Sequence, residues 1–413
     1  MKSISFVTSA QPSSNPRMLK EIKSLYLNGY SINVVWSPIS TWADDFDQII
    51  FKEYTNIKWV KAGYHAKTEP IGFYFARIRK KYWYIFYTLF GNLFNAAIKS
   101  QVLYSQELTK LAKRQKSNLF IGHNLGALPA IVKAAKKYDT KCVFDFEDFH
   151  RGENLEGSIQ MKIVKDVESK YIPFVNSITT ASSLITNVYE TIFPSQKFTT
   201  INNCFPLSYS LNKNTILHTD QLKLFWFSQF IGKKRGLETV LLAMSNFPKG
   251  SISLTLLGSL SKENKIYFEN LLTNLGLDSN QLIFVDSLKE SEITELASLH
   301  HIGLCSEYAH IQNRDLCLTN KLFIYLLAGN AILMTDTKAQ QAFYVENPNV
   351  GILYKQEKAE SLVAALKFYF DNPRILNLHR KNSLQLARVK YNWDIEQQVF
   401  LSNVKKVLNL YQY

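Results

Sequence analysis

Two α/β domains, each built on a doubly wound parallel sheet, are what this sequence predicts, and three observations predict it. Short apolar runs rich in β-branched residues alternate with amphipathic stretches from Ser3 onward. The alternation lapses in a polar segment after Asn203 and then begins again. The chain has 413 residues, 46% hydrophobic and 20% charged, which at roughly 100 to 200 residues per domain means two or three domains. That balance excludes a disordered or collagen-like chain.

The first run, SISFVTSA, reads as a strand that leads into the polar loop QPSSNP. Asn15 is placed to cap a helix with Pro16 at its first position, and Met18, Leu19, Ile22, Leu25 and Tyr26 recur at helical spacing until Gly29 stops it. The strand SINVVW follows. The same order then repeats through NLFIGHN, the helix LPAIVKAAKKY, the strand KCVFDFED, a helix around Ile159 to Tyr171, the strand SITTAS, a helix near Val188, and FTTINN. Apolar runs of this length bounded by helices belong in a sheet covered on both faces. The polar stretch CFPLSYSLNKNTILHTDQ is the expected interdomain linker. Beyond it KLFWFSQF, SISLTLLG, QLIFVD, HIGLCSE and NAILMTD read as strands, with helices beginning near Arg235, Lys262, Ser291, Asn320 and Lys358. The expected division is residues 1–205, residues 206–390, and a last amphipathic helix in 391–413 that packs back on the first domain. In sheets of this type ligands sit beyond the carboxyl ends of the strands, which makes a cleft between the domains the expected site.

Residues 77–98, RIRKKYWYIFYTLFGNLFNAAI, do not fit the alternation. Four basic residues precede an apolar, aromatic run that is marginal for spanning a hydrocarbon core of about 30 Å. Two readings stand: a helix lying in the membrane interface with Trp83, Tyr84 and Phe86 as anchors, or a core helix with a basic start. Charge adds to the first. The net charge is +14, and residues 1–205 carry 26 Lys and Arg against 16 Asp and Glu, so the excess sits in the first half. An anionic partner fits such asymmetry, as does a merely soluble basic surface. Cys142, Cys204, Cys305 and Cys317 lie in apolar runs without metal or disulfide spacing and read as reduced thiols. The start, MKSISFVTSAQ, is too short and strand-like for a secretion signal, so the chain is expected in the cytoplasm, at the inner face of the cell membrane.

The residues with chemical potential cluster where strands end. In GKKRG, Arg235 precedes a helix after the first strand of the second domain, where a guanidinium and a helix N-terminus address one anion; an exposed basic turn is the plainer reading. Asn320 and Lys321 open another helix after a polar loop, with helix capping by Asn320 as the alternative. His123 follows the strand NLFIG. Asp145, Glu147, Asp148 and His150 cluster at the end of CVFDF, and strand alternation puts Asp145 and Glu147 on one face, where a carboxylate orients or deprotonates a hydroxyl.

The pieces NPRMLKEIKSLYLNGYSINVV, IGHNLGALPAIVKAAKKYDTKCVFDFED, SITTASSLI, TINNCFP, FSQFIGKKRGLETVLLAM, LTNKLFIYLLAGNAILMTD, GILY and YNWD, in that order, resemble bacterial GT-B glycosyltransferases, particularly the family 4 type that builds surface polysaccharides such as lipopolysaccharide and capsule. The resemblance covers nearly the whole chain. It implies a GT-B fold and transfer of a sugar from a nucleotide-diphosphate sugar, UDP- or GDP-linked, to a glycan or lipid-linked acceptor, with retention and without a metal ion; no other cofactor is implied. It implies that Arg235, with Lys234 beside it, binds the donor phosphates, that Asn320 and Lys321 face the donor, and that His123 approaches the transferred sugar with Asp145 and Glu147 nearby. Asn15 and Arg17, in the first loop and helix, fall on the acceptor side. The sequence departs from the family at three places: Leu316 and Ile324 stand where it has the two glutamates of its E-x7-E signature, and Phe230 stands where it has a second basic residue. Glu307 and Asp315 are the nearest carboxylates able to compensate. A catalytically degenerate member that binds a sugar nucleotide or a partner is the competing reading. Nucleic-acid binding rests on charge alone, without a recognition module.

Overall fold

The computed structural model describes residues 2–210 and 221–409, which fall into two units: the residues up to Asn202 together with those from Gln397 on, and Asn203–Glu396. Residues 211–220 of the expected linker and the last four residues of the expected terminal helix lie outside the described residues.

The first unit is a seven-stranded, all-parallel sheet of β1 (Ser3–Thr8), β2 (Ser31–Trp36), β3 (Lys58–Lys61), β4 (Leu119–His123), β5 (Lys141–Phe146), β6 (Ser177–Thr180) and β7 (Phe198–Thr200). Its order is β3-β2-β1-β4-β5-β6-β7, so the direction of winding reverses between β1 and β4. Register lines up Thr8, His123, Asp145 and Thr179 as one row across the carboxyl ends of four strands. The helix Pro16–Leu27 starts as the sequence predicts: the Asn15 side chain accepts the Met18 N–H at 2.9 Å, and Pro16 holds the first helical position. Strand β5 stops at Phe146, one residue before Glu147, so Glu147 belongs to the bend beyond the strand and not to a shared face with Asp145.

The stretch expected as one helix over 77–98 is two. A helix runs from Pro70 to Phe90 and ends where Gly91 takes φ 67°; a second spans Ala96–Gln101 after a connector in which Phe94 and Asn95 are both left-handed. In the long helix Ala76 and Tyr87 are buried, and the Tyr87 hydroxyl donates to Asp166 at 2.8 Å. The opposite stripe, Ile71, Phe75, Ile78, Tyr82, Ile85 and Leu89, is exposed at helical spacing. Trp83, Tyr84 and Phe86, the rings expected to face a membrane, are partly buried instead, because the inward face of the helix falls between them. Among the described residues no helix is long and apolar enough to cross a membrane.

The second unit has six parallel strands, β8 (Leu222–Ile231), β9 (Ile252–Leu260), β10 (Leu282–Val285), β11 (Ile302–Cys305), β12 (Ala331–Thr335) and β13 (Gly351–Tyr354), in the order β10-β9-β8-β11-β12-β13. Leu224, Trp226, Leu254, Leu256, Leu304 and Leu333 form its core. Winding reverses between β8 and β11. The helix expected near Arg235 begins at Leu237, with Gly236 as its cap at φ 80°. The last helix, Trp393–Asn409, spans the boundary between the two units; from Gln397 onward it belongs to the first, where Ser177 Oγ donates to Asn403 Oδ1 at 2.8 Å.

Candidate functional site

In the first unit four charged side chains meet under the winding reversal. Arg17 donates from Nε and Nη2 to the two oxygens of Asp145, each at 2.8 Å, and from Nη1 to the Ile201 carbonyl at 2.6 Å. Thr179 Oγ1 donates to the same carboxylate at 2.5 Å. His123 Nε2 lies 3.0 Å from Glu21 Oε2, and its Nδ1 lies 3.5 Å from Asp145. None of Arg17, Glu21, His123 and Asp145 is more than 1% exposed. Burial works against a charged His123, but Glu21 and Asp145 overcome it and hold its pKa above the ordinary histidine value. Burial likewise works to raise Asp145, and Arg17 with His123 outweighs it and holds that carboxyl low. The surroundings therefore favour the charged form of His123 and the ionised form of Asp145.

Three sequence expectations change here. His123, expected to approach the transferred sugar, is enclosed at 0% exposure. Arg17 is not an acceptor or loop residue but the buried counter-ion of Asp145. Asp145 is 1% exposed and both of its oxygens already accept hydrogen bonds, from Arg17 and Thr179. Glu21 was not anticipated at all. Its signal was present, since Arg17, Glu21 and Ser24 recur at helical spacing beside Met18, Ile22 and Leu25, and charges on that flank are drawn inward with the apolar stripe. Glu21, His123 and Asp145 have their ligand atoms close enough to hold a cation, yet Arg17 already occupies both Asp145 oxygens and would repel one.

Glu147 stands just outside this group and is only partly buried. Burial, then repulsion from Asp148, pushes its carboxyl up to about 7, against the pull of Arg17 and His123. His150 turns elsewhere: its Nδ1 lies 2.8 Å from Glu153 Oε1.

In the second unit the winding reversal brings together Arg235, Ser306, Glu307 and Lys321. Strand β8 has an irregularity in its pairing with β9 between Phe227 and Phe230, and Ser228 in it accepts from Arg235 Nη1 at 3.0 Å. Ser306 Oγ, just past β11, donates to the Arg235 carbonyl at 2.8 Å. Glu307 accepts from Lys321 Nζ at 2.5 Å, from Thr319 Oγ1 at 3.1 Å and from Gln340 Nε2 at 3.2 Å. Arg235 is pulled below its ordinary pKa by burial and then by the charge of Arg314, which outweighs the help of Glu307. Arg235 and Lys321 thus both feel Glu307, and Arg314 lies near enough to Arg235 to oppose its charge, an arrangement of cations suited to an anion. Arg314, on the short helix Gln312–Leu316, was not anticipated; it lies in a polar loop with no motif to mark it.

The other expectations for this unit separate. Asp315 does not join the group; its carboxylate accepts the Lys338 N–H at 2.8 Å and pairs with Lys338 Nζ at 3.0 Å. Lys234 is exposed and left-handed, with its N–H on Glu238, and Lys233 lies over the Tyr267 ring. Asn320 opens its helix but does not cap it; Thr319 holds that position, and Asn320 is exposed. Leu316 and Ile324 are buried core residues, and Phe230 is 46% exposed.

No protein-family model and no curated protein matches this sequence. Solved structures do match along almost the whole length. The sucrose-phosphate synthase of Thermosynechococcus elongatus superposes with a TM-score of 0.72 at 12% identity, covering 99% of this chain and 100% of that one. HepE of Anabaena, in complex with UDP-glucose, gives 0.70 at 12% identity over 98% and 100%. A glycosyltransferase from Rickettsia africae gives 0.68 at 11% identity over 98% of each chain. At this identity the likeness is one of fold, and the fold is GT-B.

Proposed function

We propose that the protein transfers a sugar from a nucleotide-diphosphate sugar to an acceptor, the second unit binding the donor and the first the acceptor. The observation that carries this reading is the group of Arg235 and Lys321 beside Glu307, with Arg314 close to Arg235, at the winding reversal of the second unit, where a doubly wound sheet binds its ligand. The three cations take the charge of the diphosphate as it leaves, so the reading needs no metal ion. HepE, which shares the fold, was crystallised with UDP-glucose, and UDP-sugars are the first donors to test.

In the reaction proposed, the acceptor oxygen bonds to the anomeric carbon as the bond from that carbon to the β-phosphate oxygen breaks. The acceptor proton passes to that phosphate oxygen on the same face, and the configuration is retained. Glu147 orients the acceptor by accepting a hydrogen bond from it, and the buried Arg17, Glu21, His123 and Asp145 hold the strand ends beneath. A groove of about 400 Å3 beside the helix Pro70–Phe90 offers the rings of Phe73 and Tyr84 with Arg77, Lys80 and Lys81, a lining suited to a glycan or lipid-linked acceptor that carries phosphate. The exposed stripe of the same helix suits a peripheral place on the inner face of a bacterial membrane, in the synthesis of a surface polysaccharide.

A second reading is favoured by one observation: Leu316 and Ile324 put no carboxylate where the resemblance expects the glutamate pair. In that reading the protein binds a sugar nucleotide without turning it over. Incubation with UDP-glucose, UDP-N-acetylglucosamine and GDP-mannose separates the two. Transfer predicts slow release of nucleoside diphosphate even without acceptor, and Arg235→Ala is expected to weaken nucleotide binding by about 1.5 to 3 kcal/mol in a titration. Tight binding with no release from any donor favours the second reading; no binding of any nucleotide removes both.

A further inference from the structure

A second groove, of about 490 Å3, lies on the outside of the first unit among the helices Ala96–Gln101, Ser105–Ala112 and Leu128–Tyr138. It draws nothing from the carboxyl ends of the strands, so it is separate from Glu147 and the charged group beneath it. Its charged lining is Lys99, Lys110, Lys113, Arg114, Lys133 and Lys137, with no acidic residue. None of the six forms an ion pair among the described residues. Glu107, the one carboxylate on the middle helix, is taken up by Arg79, whose Nη2 lies 2.7 Å from both of its oxygens. Burial, and then the charges of Lys170, Lys113 and Lys99, holds Lys133 below its ordinary pKa. Six like charges around one hollow repel one another, and an anion in that hollow removes the repulsion.

The neighbours of the groove say which anion. Asn95 is part of its lining, and the two residues before it, Leu93 and Phe94, are 57% and 72% exposed. Phe94 and Asn95 are both left-handed, a conformation that costs a non-glycine residue energy, and it is spent on a connector that leaves an apolar ring in solvent. Lys99 reaches across to the ring of Trp83 at 3.7 Å, tying the groove to the long helix whose exposed stripe ends at Leu89 and Phe90. Cations beside an apolar, aromatic edge match an amphiphile, charged at one end and oily at the other. A soluble polyanion has no use for the stripe.

We propose that this groove is a phosphate site for the headgroups of acidic lipid, filled when the stripe from Ile71 to Leu89 lies in the interfacial layer of a bilayer. The proposal rests on the membrane reading above and adds to it a site and a ligand class. The full chain is sedimented with vesicles of phosphatidylcholine alone and of phosphatidylcholine mixed with phosphatidylglycerol, over a range of salt. The wild type is expected to favour the mixed vesicles. Lys110→Gln/Lys113→Gln/Arg114→Gln changes three exposed side chains, so folding is left intact, as an unchanged thermal midpoint verifies; it should bind neutral vesicles as the wild type does and lose roughly tenfold to a hundredfold on the mixed ones, with a shallower salt dependence. Phe75→Ser/Ile78→Ser/Ile85→Ser should lose binding to both. A triple glutamine variant that keeps the full preference for mixed vesicles overturns the groove while leaving the membrane reading standing, whereas a wild type that sediments with neither kind removes both. Inorganic polyphosphate that binds the wild type and the stripe variant alike, as tightly as mixed vesicles bind the wild type, would reassign the groove to a soluble polyanion.

Discussion

Glu147 carries a raised pKa that has two consequences of opposite sign. A carboxyl that titrates near 7 in the folded chain and near 4.5 when unfolded is favoured in its protonated form by folding. The folded state therefore loses stability as pH rises from about 4.5, and the loss is complete somewhat above 7. A shift of this size corresponds to at most about 3 kcal/mol, and solvent access to a partly buried side chain reduces that to about 1 to 2. Glu147→Gln should then be more stable than the wild type near pH 8 by about that amount and equal to it near pH 4, as denaturant unfolding at the two pH values would show. Transfer behaves the other way. If the ionised carboxylate orients the acceptor, kcat/KM rises through about pH 7 in the wild type, and the glutamine variant loses that limb along with most of its rate. A variant no more stable at high pH, or one that keeps the limb, would return Glu147 to the role of an ordinary loop residue. The sequence marked Glu147 by its place after an apolar run, and marked Arg235 and Lys321 by glycines and helix starts around them. Glu21 was marked only by its helical spacing with Arg17 on the flank of the apolar stripe, and Arg314 not at all, because a charge in a polar loop looks the same whether the fold turns it in or out.

At the scale of the element, the donor group depends on how β8 and β9 meet. Gly258 has φ 147°, and a Cβ there would lie 2.2 Å from the Ser228 carbonyl oxygen. The missing side chain lets the Ser228 backbone lie close against β9 at the irregularity of β8, from which Ser228 Oγ accepts the Arg235 hydrogen bond. Gly258→Ala must push the Ser228 backbone away or strain its own, at about 2 to 3 kcal/mol of stability. Nucleotide affinity should fall with it, by about tenfold if the Arg235 hydrogen bond is lost. Ser228→Ala is the companion: it removes the same hydrogen bond without moving backbone, so affinity should drop while the unfolding midpoint stays nearly where it was. If Gly258→Ala binds nucleotide normally, the irregularity is a feature of sheet twist and not of the site. The strands themselves were legible, since β11 and β12 are short apolar runs buried throughout and β8 and β9 are mainly apolar and buried over most of their length. The edge strand β3, KWVK, was not, because charges at both ends of four residues hide a strand with one neighbour. The helix Asp44–Glu53 was missed for a related reason: its first turn is three aspartates, which read as loop although they suit a helix N-terminus.

Across the whole molecule the chain passes from the first unit to the second after Asn202 and returns after Glu396, so the first unit is built from two separate stretches of the sequence. The returning helix brings Phe400, Leu401, Val404, Val407 and Leu408, all buried, and Asn403 to meet Ser177. Deleting the chain from Gln397 onward therefore uncovers an apolar face of the first unit, at about 1.5 to 3 kcal/mol per large side chain, and leaves the sheet of the second unit untouched. Calorimetry should show the transition of the first unit moved to much lower temperature or absent, and that of the second in place. The nucleotide identifies which transition is which. A ligand that binds only one folded unit stabilises that unit by RT ln(1 + [L]/Kd), about 2.7 kcal/mol at a hundredfold excess over Kd. UDP should accordingly raise the transition that survives the deletion, by the same amount in the full chain and in the shortened one. A nucleotide shift that disappears with the deleted helix would mean that the first unit takes part in holding the donor, and the cations at Arg235 and Lys321 would not be its whole site.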